Sequence, residues 1–143
     1  MASRRKARIY AMQALFSWEI SETPIDQLLE FSWVDARGAG PDEKHENREA
    51  TIAFSRLLVA GTVERIDEVD RAIERHLVHW KLERLAKVDL AILRLGAYSL
   101  MFQPDIPASV TIDEAVELAR EYGSDESYRF VNGVLDAIRK DPD

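Results

Sequence analysis

Large apolar residues recur every three or four positions along nearly the whole chain, and no segment alternates as a half-buried strand would. A first helix is predicted from about Ser3 to Ile20. Ile9, Met12, Phe16 and Ile20 form one apolar face, while Arg4 and Arg8 stack one turn apart on another. Pro24 opens a short second helix with Ile25, Leu28 and Leu29, which can extend to Trp33. The stretch from Asp35 to Asn47 holds Gly38, Gly40 and Pro41 and almost no large apolar residue, so it reads as an exposed loop. Between Arg48 and His79 helical spacing returns through Phe54, Leu57, Leu58, Val63, Ile66, Val69, Ile73 and Leu77. Gly61 is a candidate interruption, and two helices meeting somewhere in 61–66 fit the pattern.

From Leu82 to Met101 the apolar residues wrap most of the way round the helix, the mark of a central, buried element; Pro104 and Pro107 end it. Thr111 and Glu114 have the spacing of a capping box for the next helix, whose stripe is Ile112, Ala115, Val116 and Ala119. Gly123 is a candidate terminator for it. A last helix is expected from about Ser124, with Val131, Val134, Leu135 and Ile138 facing inward. Arg139 and Lys140 complement its C-terminal dipole, and Pro142 lies beyond it. The expected fold class is all-α.

Composition supports a globular chain: 143 residues, 46% hydrophobic and 31% charged, enough for one domain or two small bundles. The absence of cysteine excludes disulfides and thiolate metal sites and suits a reducing compartment. With no apolar run of membrane-span length and no secretory hydrophobic region at the start, a soluble cytoplasmic protein is expected.

The net charge of −7 argues against nucleic acid until its distribution is considered. Residues 1–8 carry Arg4, Arg5, Lys6 and Arg8 without an acid, a local +4 that leaves −11 for the remainder. A basic end on an acidic body can present an anion site, although a solvated basic tail accounts for the same composition.

Enzyme signatures are missing: there is no P-loop, no dinucleotide-binding glycine fingerprint, no nucleophile elbow and no zinc-protease motif. No cofactor is implied. His76 and His79, three apart on a helix, lack a third ligand at sensible spacing. Glu64, Asp67, Glu68, Asp70 and Glu74, interleaved with Arg65, Arg71 and Arg75, describe a solvated helix face. Phe130 sits at the edge of the last helix's stripe, beside Arg129 and a little over one turn after Asp125. It reads either as peripheral core or as an aromatic offered to an unstacked base. Asp89 is an acid inside the most apolar helix, and its i±3 and i±4 neighbours Leu85, Ala86, Ile92 and Leu93 supply no cation. It can lie in the helix's first turn, pair with a distant cation, or face a surface seam and await a partner's basic group.

Several runs together resemble the NusB family: Arg4-Arg5-Lys6-Ala7-Arg8, Gln13 to Trp18, Val88 to Arg94, Ile112 to Ala119, and above all Phe130-Val131-Asn132-Gly133-Val134-Leu135-Asp136. They run in order from first helix to last. The resemblance implies about seven helices in two bundles, placed here at 1–79 and 80–143 and packed into one unit. It implies an antitermination factor that binds boxA RNA with NusE, a small-subunit ribosomal protein, and joins an RNA polymerase complex, notably on ribosomal RNA operons.

Carried over by position, Arg4, Arg5, Lys6 and Arg8 match an arginine-rich RNA-binding motif, and Gln13 and Phe16 continue that surface. Asp125 and Phe130 match positions near the RNA path, and Glu83, Asp89 and Arg94 match the surface offered to NusE. Phe16 replaces a tyrosine common in the family, and Lys6 an arginine, which keeps charge but loses the bidentate fork. Some members self-associate, so a homodimer stays open. The alternative implied by resemblance is a NusB-like RNA-binding domain associated with a ribosomal RNA cytosine methyltransferase. Nothing in the sequence has the strand-linked glycine motif that such an enzyme's methyl donor would need.

Overall fold

The computed structural model describes residues 3–31, 45–78 and 81–141, and every regular element among them is helical. Seven α-helices are described: α1 (Arg4–Ser21), α2 (Ile25–Leu28), α3 (His45–Glu64), α4 (Ile66–Arg75), α5 (Lys87–Phe102), α6 (Ala108–Tyr122) and α7 (Ser127–Lys140). A 3-10 turn, Leu82–Arg84, precedes α5. The all-α expectation therefore holds. None of the described helices is long and apolar enough to cross a membrane. The loop expected over 35–47 lies outside the described residues except for 45–47, which begin α3; Trp33, His79 and Pro142 lie outside them as well.

The chain divides into two compact units, Met1–Gly61 and Thr62–Asp143, so that the stretch 62–79, expected with the first bundle, falls in the second unit. The reason is α4. It is strongly amphipathic, with Val69, Ala72 and Ile73 buried, and it packs on α5 and α7 of the second unit. Gly61 continues α3 without interruption; the chain breaks helix only at Arg65.

In the first unit α1 buries Ala7, Ala11, Met12, Ala14 and Leu15, mostly small residues that permit close approach. Polar bonds lock its start onto α3. The Ser3 hydroxyl caps α1 by accepting the Lys6 N–H at 3.2 Å, and the Ser3 N–H donates to Thr51 Oγ1 at 2.9 Å. The buried Ser55 hydroxyl lies 3.0 Å from both the Ala7 and Thr51 carbonyls. Phe31 adopts a left-handed φ of 51°, yet is fully buried. Burying the ring offsets a backbone cost of about 1–2 kcal/mol, and Arg56 clamps the preceding carbonyls of Leu29 and Glu30.

In the second unit α5 is central, with every residue from Leu90 to Ala97 buried, as its all-round apolar pattern predicted. It packs on α4, α6 and α7. Gly96 allows the approach to α7, because a Cβ there would stand 2.8 Å from Leu135 Cδ1. Three local expectations are corrected. Helix α5 starts at Lys87, and Leu82–Arg84 is a separate turn. Thr111 caps nothing, since α6 already starts behind Pro107 and buries Thr111 in its second turn. Gly123 does end α6, but at φ −94°; a side chain is excluded there because its Cβ would sit 2.5 Å from Ser127 Oγ.

Candidate nucleic-acid interface

The N-terminal basic cluster is built on α1, whose first turn holds no acid. Arg4, Arg5 and Lys6 are exposed, whereas Arg8 is only 2% exposed. Arg8 is thus corrected from surface cation to interior residue. It belongs to the buried row that continues through Ala11, Met12 and Leu15 at helical spacing, which turns it inward. At about 100° per residue, Arg5, Lys6, Gln13 and Phe16 fall on the opposite arc. Gln13 and Phe16 are half-buried there. This face can meet phosphates through its cations and the helix N-terminus, and a base through an amide and a ring.

In the second unit, Asp89 and Phe130 line one recess of about 240 Å³ together with Arg84, Leu85 and Ala86. Asp89 lies in the first turn of α5, where the helix dipole favours an acid. Its Oδ1 is shielded and accepts no hydrogen bond, and among the described residues no cation pairs with it. Phe130 reaches the same recess from the first turn of α7. A carboxylate without a partner beside a half-buried ring can accept an N–H from an incoming group that stacks or packs on the ring. Arg84, exposed at the rim, supplies a cation that sequence reasoning passed over; the 3-10 turn just before α5 sets it beside Asp89, and the packing of α5 on α7 adds Phe130.

Asp125 does not join that recess. It is exposed and lines a separate one of about 300 Å³ with Arg120, Gly123, Ser124 and Tyr128. Tyr128, also missed from sequence, lies under two guanidinium groups. Arg120 sits 4.7 Å and Arg129 5.6 Å from its ring centroid, and Arg129 Nε donates to the Tyr128 hydroxyl at 3.0 Å. That bond, then the charges of Tyr128 and Glu126, hold the exposed Arg129 above its ordinary pKa. The adjacency of Tyr128 and Arg129 was legible, but Arg120 comes from another helix.

Glu83 is exposed on the 3-10 turn. Arg94 is not. Its side chain is 7% exposed, and it forks onto Asp70 with Nε–Oδ1 and Nη2–Oδ2 both 2.9 Å, fastening α5 to α4. The expected partner contact at Arg94 is therefore corrected to an internal ion pair. Arg94→Ala should lower stability by about 3 kcal/mol in urea unfolding, because it strands the Asp70 carboxylate. The double variant Arg94→Met with Asp70→Leu should recover most of that loss.

An all-helical chain with a cationic first helix and an acid–aromatic recess has the make-up of an RNA-binding adaptor. Comparison with known proteins agrees. The family model described as NusB family matches residues 5–140. "Transcription antitermination protein NusB" of Treponema pallidum is 50% identical over 137 residues, 96% of this chain and 92% of that one. A solved structure of T. maritima NusB is similar with TM-score 0.82 and 36% identity, over 99% of this chain and 94% of that one. A chain in a crystal structure of antitermination factors NusB and NusE in complex with dsRNA is similar with TM-score 0.81 and 29% identity, over 96% of each. The chain belongs to the NusB family.

Proposed function

We propose that this chain is a cytoplasmic, non-enzymatic transcription antitermination factor that binds boxA-type single-stranded RNA together with NusE. In this reading it joins an RNA polymerase antitermination complex, notably on ribosomal RNA operons. The observation that carries the proposal is the outer face of α1, where exposed Arg5 and Lys6 share an arc with Gln13 and Phe16. The related NusB structure that contains NusE and dsRNA supports NusE and RNA as partners, while the preference for a single strand rests on the amide and rings offered to unstacked bases. Arg4, Arg5 and Lys6 attract phosphates irrespective of sequence; Gln13, Phe16 and Phe130 discriminate bases that are unstacked. Asp89, in the recess it shares with Phe130, and Glu83, beside Arg84 on the preceding turn, face basic groups of NusE.

Filter binding of a boxA-type single strand over a range of salt concentrations tests the RNA half of the proposal. Three exposed cations give an expected log–log slope of about −2. Binding that is insensitive to salt, or a duplex competitor that displaces the single strand at equal concentration, contradicts it. Phe130→Ala should lose roughly 1–3 kcal/mol of RNA affinity with the salt slope unchanged, since stacking releases no counterions.

A further inference from the structure

Gly96 and Gly123 each have a packing reason, since a Cβ at either would strike Leu135 or Ser127. Gly133 has none. It stands in the middle of α7, it is exposed, and a Cβ built there would meet nothing within 4 Å. Its φ is not positive, so the backbone conformation does not require glycine either. Inside a helix, glycine disfavours folding about fivefold relative to alanine. Among the described residues, nothing calls for glycine at a position where it weakens the helix.

The surface beside Gly133 is small and apolar. At about 100° per residue, Ala137 lies about 40° and Phe130 about 60° round the helix from it, on the same side, and both are half-exposed. The three form a step, with a ring at one end and almost no side chain over the next turn. Phe130 belongs to the recess of Asp89, and Gly133 follows it by about 4.5 Å along the axis. The cations of α7 are already engaged. Arg129 donates to the Tyr128 hydroxyl and lies 4.0 Å from Glu126, while Arg139 and Lys140 hold Asp136 at 2.6 and 2.9 Å. A phosphate backbone laid over Gly133 therefore meets no uncommitted cation on this helix. A polypeptide needs none, because its main chain can rest directly on bare helix backbone.

We propose that Gly133 is a partner-contact residue, where the main chain of the basic protein partner crosses α7 in a contact continuous with Phe130 and the Asp89 recess. The proposal rests on the reading of Asp89 as a contact for NusE. The missing side chain lets the two backbones approach closely, and Phe130 walls one end of the step. Gly133 thereby weakens the free chain's helix and strengthens the complex.

Calorimetric titration of NusE into the full chain tests this, with parent, Gly133→Ala, Gly133→Gln and Asp89→Lys compared and thermal melts run beside them. Both Gly133 variants should melt at a higher temperature than the parent. NusE binding should move the other way, weaker by about fivefold in Gly133→Ala and by about a hundredfold in Gly133→Gln, the range expected for overfilling a close contact. Affinity of the chain alone for a boxA-type single strand should stay at the parent's value in both. Parent-like NusE binding by Gly133→Gln, with binding lost in Asp89→Lys, overturns this inference and leaves the NusE reading standing. No binding by the parent overturns both. Weakened RNA affinity with unchanged NusE affinity assigns the face to RNA and overturns it too. So does a Gly133→Ala protein less stable than the parent, because the glycine would then serve the chain's own fold.

Discussion

Asp89→Lys is expected to abolish NusE binding while leaving the isolated chain folded and its intrinsic RNA affinity intact or raised. Truncating a partnered interface charge typically costs about 2–5 kcal/mol, and reversing its sign adds repulsion, so the loss of affinity should exceed about a thousandfold. The fold should survive because Asp89 has no ion pair among the described residues and stands in the first turn of α5, not in its buried middle. RNA should respond in the opposite sense. Asp89 shares a recess with Phe130 and Arg84, and a lysine there adds a cation beside the ring. Parallel calorimetry with NusE and filter binding with RNA separates these responses. Unfolding of the variant, or normal NusE affinity, would make Asp89 a structural residue.

Neutralising Arg4, Arg5 and Lys6 together to glutamine should weaken RNA binding by up to about a hundredfold, at roughly 1 kcal/mol per exposed contact. The salt slope should flatten towards zero, with the melting temperature unchanged. Arg8→Gln should do the reverse. Its guanidinium is buried, so the substitution should cost about 2 kcal/mol of stability and affect RNA only through the loss of folded protein. Salt titrations and thermal melts of the two variants test the division; an unfolded triple variant, or an Arg8→Gln protein of full stability, contradicts it.

What could be read before the structure follows from the range of each interaction. Helical periodicity is local, so the all-helical class and the buried centre of α5 were legible from spacing, whereas the number of about seven helices came from the resemblance. Asp89 was legible as an anomaly for the same reason: four apolar neighbours exclude a local partner. Arg94 was not, because its partner Asp70 is 24 residues away on another helix. Arg8 misled because a charged residue on a core stripe looks, in sequence, like the edge of a polar face; packing alone decides its burial. Which core receives α4 was not legible, because it carries a complete apolar stripe and only the helices it meets decide the matter. In the candidate site, the exposure of Arg4, Arg5 and Lys6 at the helix start was legible, whereas the meeting of Phe130 with Asp89 required α5 and α7 to pack.

Titrating a boxA-type single strand against the chain, alone and saturated with NusE at one fixed salt concentration, tests the central claim most directly. The account predicts tighter RNA binding in the presence of NusE, with that gain lost in Asp89→Lys and the basal affinity lost when Arg4, Arg5 and Lys6 are neutralised. RNA affinity that is the same with and without NusE, and the same in both variants, would contradict it.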